Sequence, residues 1–178
     1  TIQDTTLYQQ LPDRASVDKL RTPQAIACPE LLLVKNTDML IRFAGPYQDM
    51  GSMNFAARIA YGAGACRLLE NVLEMQFPVL MQISLGPTGI DKDFSLPFIV
   101  AIKDGDEITS KVRDHITLPA QSDNTLLSLS RDVTVRITYP EQYDSRTHKI
   151  LLAFSLSAEE YEQQTSTLWR DYFNHLQP

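Results

Sequence analysis

The chain has 178 residues, of which 43% are hydrophobic and 21% are charged, so it is long enough to fold as one domain with a sizeable core. Its formal net charge is −6 and its basic residues are scattered. This argues against a nucleic-acid-binding role, because such proteins concentrate lysine and arginine on one face. No apolar run approaches the roughly 18–20 residues that a membrane-spanning helix needs.

The N-terminal part of the chain shows no sustained hydrophobic period. Residues 1–27 are polar and contain Pro12 and Pro23. We therefore expect residues 1–27 to form an extended tether that leads into the folded domain.

Residues 28–156 carry the pattern of a β domain. Hydrophobic side chains alternate with polar ones along residues 53–61, which is the period of a half-buried strand. Strands are also predicted at residues 31–34, 39–43, 77–85, 98–102, 108–118, 133–137 and 150–156, with a hairpin turn at Asp104-Gly105. Turns rather than helices join these strands. The pattern predicts an immunoglobulin-like antiparallel β-sandwich, with a barrel as the alternative.

Residues 157–178 are predicted to form a C-terminal amphipathic α-helix. Ser157 and Glu160 have the spacing of a capping box. Apolar and aromatic residues then recur at helical spacing on one side, namely Tyr161, Thr165, Leu168, Trp169, Tyr172, Phe173 and Leu176. This stripe either packs on the chain's own domain or binds a partner. The residues proposed for partner binding are Tyr161, Leu168, Trp169, Tyr172 and Phe173.

The sequence contains no recognisable catalytic constellation. The glycines of Gly62-x-Gly64 lack the third glycine of a dinucleotide-binding loop, because Arg67 occupies that position. Acidic residues cluster around Gly105, where a solvated hairpin turn is expected rather than a calcium site.

The three histidines also stand in separate contexts. His115 is expected to point outward from a strand, His148 to lie in a loop, and His175 to lie near the end of the helix. We therefore predict a non-enzymatic protein with no catalytic residues, no metal and no cofactor.

The two cysteines, Cys28 and Cys66, do not form a Cys-x-x-Cys motif. They permit two explanations: a structural disulfide in a protein outside the reducing cytosol, or two buried free thiols in a cytosolic protein. In the chain-entropy model a disulfide across this loop contributes about 4 kcal/mol to stability.

Several short segments resemble a known group of proteins. Cys28-Pro29 precedes an apolar run, and Ala57-Arg58-Ile59 leads through Gly64 to Cys66. Further matching segments are Gly86-Pro87, residues 96–104 and residues 153–160. Together, across residues 28–161, they resemble a family of uncharacterised lipoproteins and exported proteins of Gram-negative bacteria.

This resemblance implies a periplasmic domain held at the outer membrane by a lipidated cysteine upstream of Thr1. It also implies a bond between Cys28 and Cys66, and it supplies no catalytic residues. The chain departs from the family in the long aromatic helix after Tyr161.

The resulting functional hypothesis is a periplasmic, lipid-anchored structural or scaffolding subunit of an envelope or secretion-system complex. Its expected partners are other envelope proteins or further copies of the same chain. The alternative is a periplasmic module that binds a small apolar ligand, with Met39, Met53, Met75 and Met81 as possible lining residues.

Overall fold

The computed structural model describes residues 5–8, 24–25, 27–46, 48–120, 126–139 and 147–164. These residues form mainly β structure with a single short α-helix, α1 (Ala158–Gln164), and a 3-10 turn at Met50–Ser52. The strands are β1 (Thr5–Tyr8), β2 (Gln24–Ala25), β3 (Glu30–Leu33), β4 (Met39–Phe43), β5 (Met53–Tyr61), β6 (Ala65–Leu69), β7 (Val72–Leu85), β8 (Phe94–Asp104), β9 (Glu107–Leu118), β10 (Leu126–Thr138) and β11 (His148–Phe154).

The strands form two sheets. Sheet A has the order β1-β10-β7-β5-β4, and β6 joins it beside β7 and carries β2 on its other side. β5 and β6 pair with successive parts of β7, at residues 79–85 and 72–76 respectively. Sheet B has the order β3-β11-β8-β9.

One hydrophobic core lies between the two sheets. Its largest side chains come from both layers, with Phe55 and Phe77 in sheet A and Phe98 and Phe154 in sheet B, each at most 2% exposed. Burial of apolar side chains at about 25 cal/mol per Å² is the main force that holds two such layers together. The structure thus confirms a mainly β fold of two sheets.

The strand pairing is mixed rather than wholly antiparallel. β1 runs parallel to β10, and β3 runs parallel to β11. Both are four-residue strands at one end of the strand order. β1 and β2 belong to residues 1–27, so two short parts of the expected tether pair with sheet A.

Three strands begin four or more residues earlier than predicted. β7 starts at Val72, β8 at Phe94 and β10 at Leu126, whereas the sequence pattern indicated starts at residues 77, 98 and 133. The turn between β6 and β7 consists of Glu70 and Asn71, which are neither glycine nor proline. Glu70 adopts a φ of 55°, a left-handed conformation that is uncommon for glutamate. The residue types at this turn therefore gave no turn signal.

The predicted hairpin between β8 and β9 is confirmed, with its turn one residue later than the Asp104-Gly105 pair. Asp104 pairs with Glu107, so Gly105 and Asp106 form the two-residue turn, and Gly105 has a φ of 58°. Only glycine adopts this conformation without a steric cost.

The capping box at the start of α1 is also confirmed. The Glu160 backbone N–H donates to Ser157 Oγ at 3.2 Å, and the Ser157 N–H donates to Glu160 Oε1 at 2.9 Å. Residues 165–178 lie outside the described residues, so the predicted extent of the C-terminal helix stays a prediction.

Candidate functional site

The disulfide between Cys28 and Cys66 connects the two sheets. Cys28 lies just before β3 of sheet B, and Cys66 lies within β6 of sheet A, with their Cα atoms 5.3 Å apart. Both side chains pack against the hydrophobic core. The bond therefore holds the segment just before β3 of sheet B next to β6 of sheet A. Neither cysteine of the chain is free.

The side of sheet B that faces away from the core is unusually apolar. Along β8, Phe98, Val100 and Ile102 point into the core, so the intervening Ile99 and Ala101 lie on the opposite side. Leu151 and Ala153 of β11 pair with Ala101 and Ile99. We call this side the outer face of sheet B.

The strand register extends this apolar patch to the edge of the sheet. Leu32 of β3 pairs with Leu151, and Val34 follows β3 on the same side with 38% of its surface exposed. Ile99, Leu151 and Leu32 are each partly exposed. An antiparallel sheet with one solvated face normally alternates apolar and polar residues, which these three strands do not do.

Basic residues border the apolar patch on two sides. Lys111 and Arg113 of β9 pair with Ala101 and Ile99 and are exposed. Lys103 and Lys149 pair with each other across β8 and β11, next to the patch. The residues that pair with one another across neighbouring strands form a register row, and the rows that contain these four basic residues include one carboxylate. It belongs to Glu30, whose Oε2 lies 3.4 Å from Lys149 Nζ.

A polar cluster occupies the end of the core near the β8–β9 turn. His148 is 5% exposed, and its ring packs edge-on against Tyr139 with 4.8 Å between ring centroids. Its Nδ1 lies 2.9 Å from Thr147 Oγ1, and its Nε2 lies 3.7 Å from Asp104 Oδ2. Burial lowers the pKa of His148, and the nearby Asp104 carboxylate opposes that shift.

This placement corrects the prediction that His148 lies in a loop. It is the first residue of β11, and its side chain points toward the core in line with Ile150 and Leu152. His115 is exposed on β9 as predicted, and His175 lies outside the described residues. The described residues contain no group of three or more His, Cys, Asp or Glu side chains that is arranged to hold a metal ion.

A buried ion-pair network lies on sheet A, on the side that faces away from the core between the two sheets. Glu74 is 4% exposed and sits between two arginines on neighbouring strands. Its Oε1 accepts from Arg67 Nε at 2.8 Å, and its Oε2 accepts from Arg136 Nε at 2.8 Å. The network satisfies the charge of a buried carboxylate, which is the usual condition for burying one.

The helix α1 is attached beside β4. Arg42 Nη1 lies 3.2 Å from Glu160 Oε2, and Gln48 Nε2 donates to Glu159 Oε1 at 3.4 Å. Tyr161 is 43% exposed on this helix. The other four residues proposed for partner binding, Leu168, Trp169, Tyr172 and Phe173, lie outside the described residues.

The four methionines named for a ligand pocket belong to two separate clusters. Met75 and Met81 lie in the core between the sheets. Met39 and Met53 lie in a second cluster with Ile41 and Ala56, on the other side of sheet A. The four side chains therefore do not line one common cavity.

The outer face of sheet B was not identified from the sequence, although a signal was present. Residues 96–102 and 150–154 are continuously apolar instead of alternating. Such runs mark strands that are apolar on both sides. Which runs pair with each other is a long-range property, so the sequence did not show that they form one surface.

Comparisons of the chain with models of protein families, with curated proteins and with solved structures gave no match. In the part of the chain that the structure describes, no helix is both long enough and apolar enough to span a membrane.

Proposed function

We propose that this chain is a non-enzymatic, exported domain that binds other proteins of a bacterial envelope complex. The observation that carries the proposal is the outer face of sheet B, where three neighbouring strands place apolar side chains on the side opposite the core. Large contiguous apolar patches are rarely exposed on monomeric globular proteins, and where they occur they commonly mark interaction sites.

The disulfide supports the exported location. Disulfides form and persist in oxidising compartments such as the periplasm and are rare in the cytosol. Cys28 and Cys66 are bonded across the two sheets, which is the arrangement of a structural rather than a catalytic disulfide. The outer-membrane lipid anchor and the relation to exported lipoproteins are parts of the proposal that rest on the sequence resemblance.

The C-terminal stripe is a second candidate surface within the same proposal. Exposure of Tyr161 on α1 is consistent with a contact role for the stripe. The immunoglobulin-like assignment likewise belongs to the proposal, and two sheets sharing one core support it.

Affinity purification from native envelopes in mild detergent tests the proposal. We compare the full chain with the variants Ile99→Asp and Trp169→Asp/Phe173→Asp, and use Leu80→Asp as a control because Leu80 is exposed on sheet A. A defined partner that is retained by Leu80→Asp and lost from either of the other variants supports the proposal. Circular dichroism must show that each variant is folded. If the folded wild-type chain retains no partner, the proposal is wrong.

A further inference from the structure

The charges on the outer face of sheet B are opposite in sign to the protein as a whole. The chain carries a formal net charge of −6. The register rows of this face nevertheless contain four cationic side chains, Lys103, Lys111, Arg113 and Lys149, and a single carboxylate, Glu30. The local excess of positive charge is therefore a property of this surface, not of the composition.

Among the residues that the structure describes, most of these cationic side chains have no carboxylate partner. Among the described residues, Glu30 reaches only Lys149, and no carboxylate lies within ion-pair distance of Lys103, Lys111 or Arg113. By contrast, the two arginines of sheet A that flank Glu74 are both paired. Unpaired cations beside an apolar patch provide the long-range attraction that steers an oppositely charged partner.

The shape of the patch favours a protein surface over a lipid bilayer. Its centre contains two alanines, Ala101 and Ala153, which are 6% and 9% exposed. Side chains this short do not project into acyl chains, and the larger residues Leu32, Ile99 and Leu151 are only partly exposed, whereas membrane-binding surfaces use protruding Trp, Phe or Leu residues. A flat apolar centre with a charged rim is the usual anatomy of a protein–protein interface.

We propose that the outer face of sheet B binds a partner protein through an apolar segment flanked by Asp or Glu carboxylates. This inference rests on the proposed function and adds the chemistry of the partner. The apolar part contacts Leu32, Ile99 and Leu151, and the carboxylates contact Lys111 and Arg113 on one side. The expected contact is sensitive to ionic strength, because the charged rim is exposed to solvent.

The test uses two short peptides as defined probes. In one peptide glutamate alternates with leucine, and in the matched control lysine replaces every glutamate. Binding to the full-length, oxidised, isotope-labelled chain is followed by NMR. We expect the acidic peptide to shift backbone amide signals of β8, β9 and β11, and we expect high salt to weaken its binding.

Two charge-reversal variants provide the specificity control. Lys111→Glu/Arg113→Glu should weaken binding of the acidic peptide by about tenfold or more. Lys35→Glu/Lys92→Glu changes the net charge by the same amount at exposed turn positions and should leave binding unchanged. Equal binding of both peptides, or shifts confined to sheet A, would overturn the inference.

Vesicles of phosphatidylcholine with and without phosphatidylglycerol form the third arm of the experiment. Binding to the anionic vesicles without binding to the acidic peptide would assign the face to lipid headgroups and overturn the inference. If the chain binds none of the peptides and none of the vesicles, the inference is also overturned. The proposed function is tested separately, since an envelope partner that still copurifies with Lys111→Glu/Arg113→Glu leaves the proposed function standing and removes only this inference.

Discussion

Asp114 of β9 and Arg131 of β10 form an ion pair that joins the two sheets, with Arg131 Nε 3.1 Å from Asp114 Oδ2. The same two side chains satisfy the backbone of His115 on the edge strand β9. Asp114 Oδ1 accepts from the His115 N–H at 2.8 Å, and Arg131 Nη1 donates to the His115 carbonyl oxygen at 3.1 Å. Edge strands with free backbone groups recruit other strands, so this arrangement protects the middle of β9 and leaves the sheet face for binding.

Removal of this protection should increase self-association. We expect Arg131→Ala to lower the free energy of unfolding by about 1–3 kcal/mol, because it leaves a largely buried carboxylate without its cation. It should also release the His115 carbonyl and raise the rate of aggregation, measured by light scattering. Arg113→Ala, on the exposed side of the same strand, is the control and should change neither quantity appreciably.

The disulfide should supply a large part of the stability. Cys28→Ser and Cys66→Ser should each lower the free energy of unfolding by about 2–5 kcal/mol, because the bond restricts the unfolded chain. Urea denaturation with and without reductant measures this change. The double variant Cys28→Ser/Cys66→Ser should match the reduced wild-type protein. A single serine variant as stable as the oxidised protein would contradict the prediction.

The Glu74 carboxylate should contribute far more to the free energy of unfolding than an exposed glutamate carboxylate does. We expect Glu74→Gln to cost about 1.5–3 kcal/mol, because its oxygens accept charged hydrogen bonds from Arg67 and Arg136 while nearly buried. The matched control is Glu30→Gln, whose pair with Lys149 is solvent-exposed and should contribute about 0–1 kcal/mol. Chemical denaturation of both variants at neutral pH tests the difference.

His148 should make the stability depend on pH. Burial lowers its folded-state pKa below the ordinary value of 6.5, so the unfolded chain binds the proton more readily than the folded chain does. The free energy of unfolding should therefore fall as the pH decreases through 6.5 toward the lower folded-state pKa. His148→Gln should lose this part of the pH dependence. Asp104→Asn should increase it, because the carboxylate that raises the pKa is removed.

Gly86 should be intolerant of a side chain. A Cβ atom at this position would overlap the backbone carbonyl of Met53, which also accepts a hydrogen bond from Thr88 Oγ1 at 2.7 Å. Gly86→Ala should lower the melting temperature markedly, since backbone atoms cannot move aside cheaply. Gly45→Ala is the control, because nothing lies within 4 Å of the added atom.

Local sequence patterns predicted much of the fold and little of the candidate site. Period-two alternation located β5, and the Asp104-Gly105 pair located the β8–β9 hairpin to within one residue. The burial of His148 depends on contacts with Tyr139, which follows β10, and with Asp104, which ends β8. Neither contact is visible in the local pattern around His148. The outer face of sheet B depends on the pairing of β3, β11 and β8, which no local pattern specifies.

The most direct test of the central claim is site-specific photo-crosslinking in cells that produce the chain natively. A photoreactive residue replaces Ile99 on the outer face of sheet B or, as the control, Leu80 on the exposed side of sheet A. We predict a discrete adduct with another protein from position 99, absent from position 80 and lost in Lys111→Glu/Arg113→Glu. An adduct that forms only from position 80, or none from position 99 in folded protein, would contradict the claim that this face binds a partner.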